Sequence, residues 1–132
     1  MSLEQVTALL KAGSYVEGVI AYIEEVGPSS YAAIEQLLQD YIDVEGQRPL
    51  ELPETNIVLW VGSPFFISVL QQLHQVDKIA LNHVDVSWYE QEGRLLHGIP
   101  QADNPPQDWY PDAHWMPAVI YSVETHSPSP SE

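Results

Sequence analysis

The stretch GVIAYIEEVGPSSYAAIEQLLQ (residues 18–39) predicts two helices separated by a tight break. Gly27-Pro28 ends the first helix, because glycine accepts the left-handed conformation and proline cannot continue the hydrogen-bond ladder. Ser29 or Ser30 then provides the oxygen that caps the second helix. Apolar residues recur at helical spacing on both sides of the break: Val19, Ile20 and Ile23 before it, and Ile34, Leu37 and Leu38 after it.

The sequence around this pair predicts a mixed α+β domain. An amphipathic helix is expected over residues 2–12. The segment 43–54 is polar and contains proline, which predicts a loop. NIVLWV (56–61) is typical of a short buried strand, and Ser63-Pro64 of a helix start.

The rest of the chain predicts strands. Val84, Val86 and Trp88 alternate with polar residues, and Gly93 offers a turn, so residues 78–100 predict a hairpin. Residues 114–124 predict a last strand, which Pro117 assigns to a sheet edge.

Three segments together resemble the winged helix-turn-helix superfamily. VIAYIEEVGPSSYAAIEQLL (19–38) is similar to its first two helices, and PFFISVLQQLHQVDKIAL (64–81) to its third helix running into a wing strand. VSWYEQEGRLLHGIP (86–100) is similar to the wing. The resemblance covers roughly residues 14–100 and implies a winged-helix-like domain, with helices packed on a small antiparallel sheet that carries a hairpin wing. The chain departs from that plan by an insert at 42–62 and by the strand after residue 113.

The resemblance implies a DNA-reading third helix, but the charges oppose that role. The chain has 4 Lys and Arg against 19 Asp and Glu, a net charge of −15. Its basic residues are scattered: Lys11, Arg48, Lys78 and Arg94. Because Lys and Arg supply most phosphate contacts, direct binding to nucleic acid is disfavoured, and the same argument disfavours an anionic membrane surface.

Exposed polar and aromatic positions predict a surface that binds a partner protein. The polar face of the third winged-helix segment carries Gln71, Gln72, His74 and Gln75, and the wing carries Tyr89 and Arg94. Trp109 and Tyr110 lie in a proline-rich acidic loop, where they either fix the loop to the domain or contact a partner. Trp88 and Trp115, in alternating strands, are expected to fill the core.

Enzymatic and metal sites receive little support from the sequence. Phosphate-loop, nucleophile-elbow and zinc-protease motifs are absent, so we predict no enzyme, cofactor or metal. HVD (83–85) and DAH (112–114) each place a carboxylate two residues from a histidine. Strand geometry would point each pair to one face, so His83, Asp85, Asp112 and His114 stay open as metal-site candidates if the two pairs meet.

The sequence thus predicts one winged-helix-like domain over residues 1–124, with 1–13 as a helical extension and 125–132 as a disordered tail. We expect a cytoplasmic adaptor or regulatory subunit that binds a protein, with a basic partner favoured by the charge and a homodimer left open. A nucleic-acid-binding regulator that acts as a dimer or beside a basic subunit is one alternative. An acidic inhibitor that imitates DNA is another.

Overall fold

The computed structural model describes residues 3–52, 54–93, 95–96, 99–102, 107 and 109–123. In this part of the chain, five helices and two three-stranded sheets form an α+β fold, as the sequence predicted. The helices are α1 (Leu3–Lys11), α2 (Tyr15–Val26), α3 (Tyr31–Leu38), α4 (Pro64–His74) and α5 (Ser87–Glu90). The strands are β1 (Ser29–Ser30), β2 (Arg48–Leu52), β3 (Ile57–Gly62), β4 (Ile79–His83), β5 (His114–Trp115) and β6 (Ala118–Ser122).

The two helices predicted on either side of Gly27-Pro28 are present as α2 and α3. Gly27 ends α2 with a φ of 96°, and its N–H donates to the Ile23 carbonyl. Ser30 caps α3, because its Oγ accepts from the Ala33 N–H at 3.0 Å. The break therefore has the chemistry that the sequence predicted, and in addition it forms the short strand β1.

The first sheet has the order β1-β6-β4, and both pairings are antiparallel. All five residues of β6 are buried. The expectation that Pro117 marks a sheet edge was wrong, because β6 is the central strand. Pro117 lies between β5 and β6, where its missing N–H removes nothing from the ladder.

The second sheet contains the hairpin β2–β3, with β5 pairing parallel to β3. The segment from 43 to 54, expected to be a loop, contains the strand β2, so that prediction was wrong. Pro49 is compatible with β2 because this strand pairs on one side only. The side chains of Leu50, Leu59 and Trp60 are buried in the core, which makes the insert at 42–62 part of the domain.

The predicted hairpin wing is absent from the described part of residues 84–100. After β4 the chain turns into the short helix α5 rather than into a second strand. This turn buries Tyr89, whose hydroxyl accepts from the Tyr31 N–H at 3.0 Å and donates to the Ala118 carbonyl. Trp88 is left 41% exposed, so its assignment to the core was wrong, whereas Trp115 is buried as expected.

One aromatic cluster packs α5 against the second sheet. The ring centroids of Trp60, Tyr89 and Trp115 lie 5.3–6.3 Å apart. Helix α1 packs on α2 and buries Val6 and Leu10. The predicted tail lies outside the described residues. No helix within the described ranges is long and apolar enough to cross a membrane.

Candidate docking face on helix α4

The start of α4 is fixed by its N-terminal cap. The Ser63 Oγ accepts from the Phe66 N–H at 3.0 Å and donates to the Asp43 carbonyl at 2.6 Å. Pro64 occupies the first helical position, where its missing N–H is not needed. The helix then buries five apolar side chains: Phe66, Ile67, Val69, Leu70 and Leu73.

The exposed side of α4 carries no charged side chain. The helix sequence PFFISVLQQLH contains no Lys, Arg, Asp or Glu. Gln71, Gln72 and Gln75 are exposed, and Phe65 is 53% exposed at the N-terminal end. We call these four residues the α4 ridge. The α4 ridge is thus an uncharged strip with an exposed aromatic on a chain with a net charge of −15. Depletion of charge with aromatic enrichment is typical of the centre of a protein interface.

A groove of ≈ 710 Å³ lies on one side of the α4 ridge, and we call it the strand groove. Its apolar lining comes from strands of both sheets, and α4 contributes polar side chains. The lining includes Leu50, Glu51, Leu52, His74, Ile79 and Leu81. Of the described lining residues, Glu51 alone is charged at neutral pH, so the strand groove combines apolar and uncharged polar side chains with a single carboxylate.

A second groove, of ≈ 520 Å³, lies on the other side of the ridge and faces the turn between α1 and α2. Tyr15 and Phe65 meet there edge to face, with ring centroids 5.7 Å apart. Glu17 supplies a carboxylate to this groove. The α4 ridge is thus bordered by a concave surface and a carboxylate on each side.

His74 faces the strand groove and also holds α3 against α4. Its Nε2 lies 2.8 Å from the Tyr31 hydroxyl. Burial lowers the pKa of His74 and raises that of Tyr31 well above its usual value of 10. A neutral imidazole accepting from a protonated phenol is consistent with both shifts. His74 is therefore partly structural, in contrast to the exposed glutamines.

The two aromatics of the proline-rich loop have different roles. Tyr110 is buried and stacks on His114 with ring centroids 4.0 Å apart. Its backbone N–H donates to the Thr55 carbonyl at 2.9 Å, and its carbonyl accepts from Asn56 Nδ2 at 2.6 Å. Trp109 is 57% exposed. Tyr110 consequently fixes the loop to the β2–β3 turn, and Trp109 is the residue that a partner can reach.

Of the two candidate residues of the predicted wing, the structure describes only Tyr89. Tyr89 is fully buried, so its placement on an exposed wing is corrected to the core. Arg94 lies outside the described residues. The partner-binding candidates that remain exposed are Gln71 and Gln72 on α4, Gln75 directly after α4, and Trp109 beside the β2–β3 turn.

The four metal-site candidates belong to separate parts of the fold. His83 ends β4 in the first sheet, whereas His114 begins β5 in the second. The His114 Nδ1 lies 2.9 Å from the backbone carbonyl of Asp112 rather than from its carboxylate. Within the described ranges, no three His, Asp or Glu side chains come together in a way that could hold a metal ion.

Two features of the site did not emerge from the sequence reasoning. Phe65 was missed, although it lies outside the apolar stripe of Phe66, Val69, Leu70 and Leu73, because adjacent helical residues point about 100° apart. Glu35 was also missed. It is buried in α3, accepts from the Trp60 Nε1 at 2.9 Å, and lines a cavity of ≈ 410 Å³. Helical spacing could have indicated its burial, because Glu35 lies four residues after Tyr31 and three before Leu38, on the same face of α3.

Comparison with known proteins gives no relative to guide the assignment. The chain matches no protein-family model, no curated protein and no solved structure.

Proposed function

We propose that this chain is a winged-helix-like protein-docking module, an adaptor or regulatory subunit that contacts its partner through the α4 ridge. The antiparallel sheet β1-β6-β4 beside α2, α3 and α4 supports the winged-helix-like part of the proposal. The hairpin β2–β3 and the helix α5 are departures from that plan.

The observation that carries the proposal is the uncharged α4 ridge between two grooves. In a DNA-reading protein, the third helix is accompanied by Lys and Arg that contact phosphates. Here that helix has none, and the described basic residues lie on three other elements: Lys11 at the end of α1, Arg48 in β2, and Lys78 beside β4. A protein interface, by contrast, favours an uncharged centre with a charged rim, which the ridge and its carboxylates Glu17 and Glu51 provide.

The test introduces charge onto the ridge without changing side-chain size. The double variant Gln71→Glu/Gln72→Glu places two carboxylates on exposed positions, so the fold is expected to stay intact. Gln36→Glu, exposed on α3, adds one carboxylate by the same substitution away from the ridge and serves as the control. Each protein is used to capture partners from native lysate, with and without nuclease, and the captured proteins are identified by mass spectrometry.

We expect wild type and Gln36→Glu to capture the same nuclease-resistant protein, and the double variant to lose it. A partner that disappears on nuclease treatment would instead assign the chain to nucleic-acid regulation. A partner held equally by all three proteins would exclude the α4 ridge as the docking surface.

A further inference from the structure

Strand β4 has one side that no other strand of the described residues occupies. It ends the sheet order β1-β6-β4, and its residues are partly buried or exposed. At its two ends the Val123 N–H donates to the Lys78 carbonyl, and the Val84 N–H donates to the Pro117 carbonyl, both at 3.0 Å. Because the direction of backbone groups alternates along an antiparallel strand, Ile79, Leu81 and His83 must point their N–H and C=O groups away from β6.

These outward groups are unpaired within the described structure. No described residue donates to or accepts from the backbone of Ile79, Leu81 or His83 on that side. Three donors and three acceptors therefore form an open row with the alternating spacing that only an extended strand can match. Addition of such a strand is a known mode of peptide recognition, in which the main chain supplies affinity and side-chain pockets supply specificity.

The open edge also borders the strand groove. Ile79, Ala80 and Leu81 form one wall, and Leu50 and Leu52 of β2 form part of the other. A segment that pairs with β4 can therefore place its apolar side chains in this groove while its backbone bonds to the edge. The edge is five residues long, so it accommodates a segment of about 17 Å.

Charges at the two ends of β4 indicate which segment fits. Asp77 lies two residues before β4 and Asp85 two residues after it, and both are exposed. Glu51 adds a third carboxylate in the groove. Lys78, next to Asp77, is the one described cation beside this edge, and its backbone pairs toward β6. The positions opposite the two aspartates thus favour Lys or Arg in an incoming strand.

The same charges disfavour a second copy of this chain as the occupant. Antiparallel self-pairing about Leu81 would set Asp77 of each copy opposite Asp85 of the other, which places like charges face to face at both ends. Each copy also carries a net charge of −15. A basic segment from a different protein meets neither objection.

We propose that the open edge of β4 receives an extended segment of the partner protein, apolar in its centre and with Lys or Arg near each end, as a fourth strand of the sheet β1-β6-β4. This inference rests on the proposed docking function and adds the mode of recognition to it. The α4 ridge and the β4 edge would contact the same partner, since the strand groove lies between them.

An array of nine-residue synthetic peptides tests the inference on the full chain. Each peptide has Lys or Arg at both ends and Val, Ile, Leu or Thr between them, and a parallel set has Glu at both ends. We expect binding to the basic set and at least about tenfold weaker binding to the acidic set. Absence of binders, or equal binding to both sets, would overturn the proposal.

The backbone of the strongest binder then distinguishes strand addition from other contacts. Methylation of alternate peptide amides removes either the amides that face β4 or the amides that face solvent. Methylation of the amides that face β4 is expected to weaken binding by about tenfold or more, and methylation of the amides that face solvent to leave it nearly unchanged. In the bound protein, amide hydrogen exchange should slow at Ile79, Leu81 and His83. Equal effects of the two series, or unchanged exchange at those amides, would contradict the proposal.

These results also separate this inference from the proposed function. If Gln71→Glu/Gln72→Glu abolishes partner capture but no peptide of the array binds, the docking function stands and the β4 edge is not its recognition element. If capture survives that double variant, the proposed function itself fails. A dimer in sedimentation that His83→Pro disperses would assign the edge to a second copy and overturn the basic-segment proposal.

Discussion

The Tyr31 hydroxyl and the His74 Nε2 lie 2.8 Å apart and join the first turn of α3 to the last turn of α4. Tyr31 is fully buried, and its backbone N–H donates to the hydroxyl of Tyr89 at 3.0 Å. Tyr31 therefore connects the candidate docking helix to the core. The exposed ridge is held in place by a buried hydrogen-bond network rather than by the ridge residues themselves.

Stability should depend on the protonation of His74. Burial lowers the pKa of His74 from 6.5, so between its folded and unfolded values the unfolded chain binds more protons. His74 therefore contributes its whole share to the free energy of unfolding above about pH 6.5. This share decreases as the pH falls toward the folded pKa. We expect wild type to lose stability relative to His74→Gln between about pH 7.5 and about pH 5.5.

Urea unfolding at both pH values measures this difference. The comparison with His74→Gln removes the effect of the many carboxylates, since both proteins carry them. Parallel changes in the two proteins would show that His74 contributes nothing to the pH dependence.

Removal of the Tyr89 hydroxyl should destabilise the core without changing its packing volume. Tyr89→Phe leaves the Tyr31 N–H and the Ala118 carbonyl without this partner in a buried environment. We expect a loss of about 1–3 kcal/mol in the free energy of unfolding, measured in urea. The neighbouring variant Trp88→Phe, at a side chain 41% exposed, should change stability by less than about 0.5 kcal/mol. Equal losses in the two variants would argue against the buried network.

Substitutions of Trp109 and Tyr110 should differ in their effect on stability. Tyr110→Ala removes a buried ring stacked on His114, and we expect it to lower the free energy of unfolding by about 2–4 kcal/mol. Trp109→Ala should cost less than about 0.5 kcal/mol, because that side chain is largely exposed. Thermal unfolding followed by circular dichroism checks both values. A large loss in Trp109→Ala would mean that Trp109, too, fixes the loop.

Gly46 should not tolerate a side chain. A Cβ at this position would lie 2.6 Å from the Ser63 Cα and 2.7 Å from the Gly62 carbonyl oxygen. Both are backbone atoms, so no side-chain rotation can relieve the clash. We expect Gly46→Ala to destabilise the protein by about 1–3 kcal/mol, because the segment must shift away from the start of α4. Gln47→Ala, at the exposed next position, is the control and should be nearly neutral in the same denaturant titration.

The sequence correctly predicted those elements that residues close in sequence determine. The Gly27 break, the Ser30 and Ser63 caps, and the apolar run of β3 depend on neighbouring residues, and all four occur in the structure. The prediction of a hairpin wing was wrong because contacts with residues distant in sequence decide the structure there. Alternation around Val84 and Val86 favours a strand, but the distant partners of the Tyr89 hydroxyl, Tyr31 and Ala118, favour a helical turn.

The candidate site was predictable only in part. The glutamines of α4 were identified because helical periodicity separates its apolar from its polar face. Strand β2 was missed because Pro49 and its polar neighbours are typical of a loop, and an edge strand tolerates both. Without β2 the strand groove could not be foreseen, since that groove requires two segments distant in sequence to meet beside α4.

Site-specific crosslinking from α4 determines whether the α4 ridge contacts a protein partner. A photoreactive benzoylphenylalanine is introduced at Gln72 in one protein and at the control position Gln36 in another, and both are irradiated in nuclease-treated lysate. We expect a discrete protein adduct from position 72 that is absent from position 36. No adduct from position 72, or the same adducts from both positions, would contradict the assignment of the α4 ridge as a docking surface.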